Sequence, residues 1–181
     1  MRPHAFAEYP HIESDRRVLI YSLDVFGLWH LRRCYAIAQA LVQRFTCAHV
    51  LIISGSPSVG TFEFKEHIDF VKVPSFTRHH DGECGSICQH TDIGETLKWR
   101  KDIILATATS FEPDVVIVAD APLGLCGELL PTLEMLKARG CRLVVGLPDV
   151  SSDLDAPLRL IRKMRRTAFL RQELGYPAAA D

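Results

Sequence analysis

The sequence predicts an α/β domain built on a doubly wound parallel sheet. Three observations point there. Five short apolar runs lack the polar alternation of a half-exposed strand; segments of helical period separate most of them; and polar or turn-forming residues close nearly every run. Strands that read as continuous apolar runs between helices are those of a parallel sheet covered on both faces. At 181 residues the chain is long enough to bury one sizeable core.

Residues 1–16 carry no period and read as a loose arm. Val18 to Leu23 (VLIYSL) is the first strand, and Asp24 to Gly27 form a turn. A helix follows from about Trp29, because Leu31, Cys34, Tyr35, Ala38, Leu41, Val42 and Phe45 recur at three- and four-residue spacing. His49 to Ile53 is the second strand, closed by Ser54-Gly55-Ser56-Pro57, and Ile68 to Val73 is the third. From Pro74 to about Thr91 the chain has no period, and a loop of that length is usually functional or mobile.

A helix is expected from Ile93 to Phe111, with Leu97, Ile104, Leu105 and Ala108 on one face and Pro113 beyond its end. Val115 to Ala119 is the fourth strand. Leu123 to Gly140 holds another helix, with Leu129, Leu133 and Leu136 inward and Gly140 as its stop. Arg142 to Gly146 is the fifth strand, and a basic helix is expected over roughly Asp155 to Leu174. Domain boundaries follow: an arm over 1–16, a Rossmann-like domain over 17–150, and a basic helix with tail over 151–181.

Composition narrows the function classes. The formal net charge is −1, which argues against a general nucleic-acid binder. No apolar run approaches the roughly 18 residues of a membrane-spanning helix, and the polar start MRPHAFAEYPHIESDRR lacks a signal-peptide core. The expectation is a cytoplasmic protein. Its six cysteines then read as reduced thiols, with Cys34, Cys47, Cys126 and Cys141 as small residues in or beside apolar segments.

In open parallel sheets ligands bind beyond the C-terminal strand ends, where strand order reverses. For the order 3-2-1-4-5 that point lies between the first and fourth strands, flanked by Asp24 and Asp120. Asp24, Asp120 and Asp149 read either as general bases and hydroxyl acceptors or as ordinary turn and N-cap residues. His30 reads as a base or ligand contact, or else as a residue packing the turn. The first turn has one glycine, Gly27, so neither a GxGxxG cradle nor a Walker loop is present. Glu128 reads first as a helix-dipole partner and second as a ligand contact.

The loop HHDGECGSICQH offers Cys84, Cys88 and His90, with His79, His80 and Asp81 upstream, but its spacing matches no compact zinc site. A loop with incidental thiols is the better reading. Arg159, Arg162, Lys163, Arg165, Arg166 and Arg171 make the last helix basic, suited to solvent, an acidic partner or an anionic membrane surface.

The stretch VLIYSLDVFGLWHLRRCYAIAQALV resembles the opening of bacterial MurG-related GT-B glycosyltransferases, whose first strand leads through a glycine loop into GHLRR and an alanine-rich helix. The likeness continues through LIISGSP, DFVKVPS, FEPDVVIVADAPLGLCGELLPTLEML and VVGLPDV, covering most of residues 17–150 in order.

This resemblance implies the acceptor-side, N-terminal domain of a nucleotide-sugar-dependent transferase, with no bound metal or other cofactor. His30 and Asp120 would be its catalytic residues. Asp24, Gly27, Trp29, Ser54, Gly55, Ser56, Gly124, Glu128 and Asp149 would bind the acceptor, a sugar or glycolipid. Transfer would need a donor-binding domain, so with the sequence given ending at GYPAAAD the expectation is a half that is either truncated or completed by a separate donor-domain chain. The basic helix would add peripheral contact with the inner membrane.

Three positions depart from the family pattern. Trp29 stands where a glycine is usual, Ala119-Asp120-Ala121 replaces an aspartate–histidine pair, and Gly146-Leu147-Pro148-Asp149 replaces G-L-R-D. These departures keep open a non-catalytic binding module on the same fold. A free-standing flavodoxin- or dehydrogenase-type domain is weaker, for want of the glycine fingerprint.

Overall fold

The computed structural model describes residues 15–23, 28–62, 65–78, 84–86, 92–119 and 121–146. The predicted basic helix, residues 1–14 of the expected 1–16 arm, and Asp24, Gly27, Asp120 and Asp149 lie outside them.

The elements run β1 (Arg17–Ser22), α1 (Leu28–Arg44), β2 (His49–Ser54), a short 3-10 turn (Pro57–Thr61) and β3 (Ile68–Lys72). There follow β4 (Phe76–Arg78), β5 (Cys84–Ser86), α2 (Ile93–Phe111), β6 (Val115–Ala119), a second 3-10 turn (Leu125–Gly127), α3 (Leu130–Ala138) and β7 (Arg142–Gly146). Five strands form one parallel sheet in the order β3-β2-β1-β6-β7. That is the predicted doubly wound order, with β1 central and the reversal between β1 and β6.

The sheet has two covered faces. On one, Val18 and Ile20 of β1 pack with Val50 and Ile52 against Leu31, Cys34 and Ala38 of α1. On the other, Leu19, Tyr21, Val116 and Val118 pack against Ile104 and Ala108 of α2 and Leu133 and Leu136 of α3. Alternate residues of one strand therefore feed two separate cores, and neither face can carry the polar period of an exposed strand.

Local chemistry bounds α2 and α3. Asp92 caps α2, its side chain accepting from the Gly94 N–H at 3.1 Å. Glu112 turns left-handed at the other end, with φ 48°, one residue before Pro113. Pro131 lies in the first turn of α3, and Gly140 follows its end with φ 80°.

Two expectations need correction. The aperiodic stretch after Pro74 contains an antiparallel pair, β4 with β5, too short for any period to register. The inward face of α2 is Thr96, Arg100, Ile104 and Ala108, flanked by half-buried Leu97 and Leu105. A charged residue stands mid-face because a buried carboxylate receives it.

Candidate functional site

The candidate site is the C-terminal edge of the sheet around the β1–β6 reversal. Leu23 carries the chain out of β1, and five residues later α1 begins with Leu28-Trp29-His30. The first N–H groups of a helix have no partner within it, so this end of α1 favours an anion or a polar ligand group.

Trp29 is 61% exposed at this end, an unusual position for so large an apolar ring. The His30 ring stands edge-on to it at 5.0 Å and 64°. One turn on, the Arg33 guanidinium lies 5.3 Å from the indole centroid, within cation–π range. Arg33 also reaches β7: its Nη2 is 3.3 Å from where a Cβ on Gly146 would sit. Any side chain there would press on the guanidinium, so the small residue leaves room for the arginine. The structure thus gathers Trp29, His30 and Arg33 beside the reversal point.

Ser22, at the end of β1, is fully buried, and among the described residues its hydroxyl has no hydrogen-bond partner. It shares a strand face with Val18 and Ile20, the face covered by α1. An unmet hydroxyl is uncommon in a native interior.

The Ser54–Ser56 segment is largely occupied by its own fold. Ser54 Oγ accepts from the Ser56 N–H at 3.2 Å, and Ser56 Oγ accepts from the Ser58 N–H at 3.3 Å. The Gly55 carbonyl accepts from Lys72 Nζ at 2.8 Å and from the Ser75 hydroxyl. Lys72 also donates to Val73 O at 2.8 Å and Ser75 Oγ at 2.6 Å, tying the ends of β2 and β3 together.

Gly124 sits in the turn after β6 with φ 68°, a conformation that favours glycine. A Cβ there would come within 2.9 Å of Glu128 Cγ and 3.0 Å of Leu129 Cγ. Its role is to let this turn close.

Glu128, read first as a helix-dipole partner and second as a ligand contact, points inward and is only 1% exposed. Arg100 grips it with two bonds, Nε to Oε2 at 2.6 Å and Nη2 to Oε1 at 2.9 Å. The Tyr21 hydroxyl donates to Glu128 Oε1 and accepts from Arg100 Nη2 at 3.1 Å. Arg100 Nη1 donates to the Pro74 carbonyl at 2.5 Å, and the guanidinium lies over the Phe76 ring, 4.5 Å from its centroid. A buried bidentate pair with its remaining groups bonded is the arrangement in which two charges tolerate burial. This network ties β1, α2, the loop after β3 and the turn after β6 into one support beneath the site.

Sequence reasoning missed Arg33, Arg100, Tyr21 and Lys72. Only Arg100 left a signal, a charge at the centre of an otherwise inward face. Among the cysteines, Cys34 is buried as expected, whereas Cys47 and Cys126 are exposed. Cys141 is half-buried, its thiol pushed up to about 11 by burial and then by the Asp114 charge. The side chains of Cys84, Cys88 and His90 lie outside the described residues. Among the described residues, no group of His, Cys, Asp and Glu could hold a metal ion. No described helix is long and apolar enough to cross a membrane.

No known protein family and no curated protein matches the sequence. Among solved structures, the chain is similar to a UGT transferase from Siraitia grosvenorii in complex with UDP, at 15% identity and a TM-score of 0.43. That likeness covers 72% of this chain and 27% of the other, so the chain spans about a quarter of that enzyme's length. It is also similar to the C-terminal domain of a hydrogenase from Pyrococcus furiosus, at 15% identity and a TM-score of 0.45, covering 77% of this chain and 97% of the other. Two such different proteins at these scores carry no functional conclusion. The Rossmann-like α/β class rests on the chain's own sheet.

Proposed function

We propose that this domain is the acceptor-binding side of a MurG-like, GT-B glycosyltransferase that uses a nucleotide sugar held by a second, donor-binding domain. The observation that carries the reading is the gathering of Trp29, His30 and Arg33 on the first turns of α1, beside the reversal of strand order. The ordered run of similar motifs across residues 17–150 supports it from the sequence.

The chemistry assigned is transfer of a glycosyl group to an acceptor hydroxyl. The acceptor oxygen bonds to the anomeric carbon as the bond to the nucleoside diphosphate breaks, and His30 takes the hydroxyl proton. Asp120, next in sequence after β6, orients the acceptor. Trp29 offers an apolar ring face to the acceptor sugar, and Arg33 holds the indole in place from behind. Asp24, Gly27 and Asp149 contribute from the loops that follow β1 and β7, whereas Ser54, Gly55, Ser56 and Gly124 shape the rim more than they touch the ligand.

A general base is worth roughly 10²–10⁴ in rate. With the donor domain supplied, His30→Ala should lower transfer by about a hundredfold or more while the acceptor still binds. The isolated chain should transfer nothing, because positioning both substrates supplies much of the rate. Turnover by the isolated chain would refute the two-domain requirement. Unchanged turnover of His30→Ala would refute His30 as the base, whereas no transfer even with the donor domain supplied would favour the second reading, a non-catalytic binding module, for which the bulky Trp29 in place of a glycine is the specific observation.

A further inference from the structure

A parallel sheet normally has both faces covered, yet among the described residues none covers one face of β7 at Val144. Arg142, Val144 and Gly146 share the α1 side of the sheet with their β6 partners Val115, Ile117 and Ala119. Val144 is 39% exposed there. Leu143, on the opposite side, packs into the core beneath α2 and α3. Through Arg142 this face adjoins a groove of ≈ 680 Å³ that has apolar walls, including Leu41, Phe45 and Ile117, and is also lined by charged residues such as Arg16, Asp114 and Arg139. The groove opens toward the N-terminal strand ends, away from the candidate site.

The chain itself supplies a matching segment. It leaves β7 at Gly146, beside this face, and residues 147–181 follow. Asp155 with Pro157 two residues on is a helix-start pattern. Leu158, Ile161, Met164 and Ala168 then recur at three- and four-residue spacing, with Arg159, Lys163 and Arg166 on the opposite side and Arg165 at the edge of the stripe, between Leu158 and Ile161. Sixteen residues of helix span about 24 Å, enough to run the length of a five-residue strand of about 17 Å.

We propose that residues 155–170 dock as an amphipathic helix antiparallel to β7 and beside α1. Its apolar stripe covers Val144, Ile117 and the mouth of the groove, and its basic side faces solvent. The open β7 face and the amphipathic period carry this inference, which does not depend on the function proposed above.

Hydrogen exchange of the full chain, followed by mass spectrometry, tests it. Amides of 155–170 should exchange about tenfold or more slowly than in a free peptide of the same sequence. Ile161→Asp should return them to the peptide's rate while β1, β2 and β6 keep their protection. Val144→Asp, made from the other side of the contact, should do the same if it folds. Three outcomes overturn the proposal: peptide-like exchange in the unaltered chain, protection that survives Ile161→Asp, or protection with a different source. That source would be a second copy if protection rises with protein concentration. It would be a lipid surface if protection appears only with phosphatidylglycerol–phosphatidylcholine vesicles.

Discussion

Replacing Arg100 with Met is the sharpest perturbation of the support beneath the candidate site. The side chain is fully buried and bonds Glu128 twice, Tyr21 once and the Pro74 carbonyl once. Met fills similar space, so the loss is chiefly electrostatic. It leaves the Glu128 carboxylate in an interior where Tyr21 alone donates to it among the contacts described above. Breaking one side of a buried pair costs about 3–5 kcal/mol, a large share of the 5–15 kcal/mol that holds a typical domain folded.

Glu128→Leu should cost a similar amount, because the buried Arg100 guanidinium then loses the two bonds that the carboxylate accepts. Removing both should recover much of the loss, so the double variant should fall short of the sum of the singles by about 3 kcal/mol. Urea unfolding reads all three. With a slope of about 2 kcal/mol per molar, a 4 kcal/mol loss moves the midpoint by about 2 M. A single-variant loss under 1 kcal/mol, or strict additivity in the double, would refute the reading of this network as a coupled support.

Gly124→Ala should destabilise by about 2–4 kcal/mol, since a left-handed backbone and two contacts at or under 3.0 Å act together. Gly140→Ala, also left-handed but with open space around it, should cost only about 1 kcal/mol in the same unfolding assay. Cys141 should alkylate slowly at pH 8 and speed up about tenfold per pH unit toward its pKa of about 11, read by peptide mapping against exposed Cys47. Because that pKa is raised on folding from 9.0, the stability linked to it is present below about pH 9 and lost as pH rises through 11. Trp29→Ala should change stability by no more than about 0.5 kcal/mol, as an exposed residue does, while weakening acceptor binding measured by calorimetry.

The sheet was legible in the sequence because β1, β2 and β6 are buried on both faces, so their apolar runs need no tertiary context to stand out. A doubly wound arrangement was legible once alternating helices implied right-handed crossovers, whereas the order 3-2-1-4-5 entered only as a condition, because several doubly wound orders share that pattern. The site was legible only in outline. His30 and Trp29 follow a strand directly and are visible locally. Arg33 meets β7 more than a hundred residues away, and no local pattern announces that. The ion pair of Glu128 was hidden because its place at a helix start is identical whether it faces a ligand or a buried arginine. Only the fold brings Arg100 and Tyr21 to it. β4 and β5 escaped notice because three-residue strands carry no measurable alternation.

The central place of β1 has a consequence for how the chain acquires its structure. The strand pairs with β2, whose residues follow some 32 positions later, and with β6, some 97 positions later. One flank can close early, but the other waits until α2 and β6 exist, and only then does Tyr21 meet Glu128. Closing the longer loop before any contact rewards it is the slow step expected of such topologies. Until then the Leu19 and Tyr21 side of β1 stands open to water. A nascent chain halted before Ile93, with neither α2 nor β6 made, would present that bare side to whatever it met first, including its own kind.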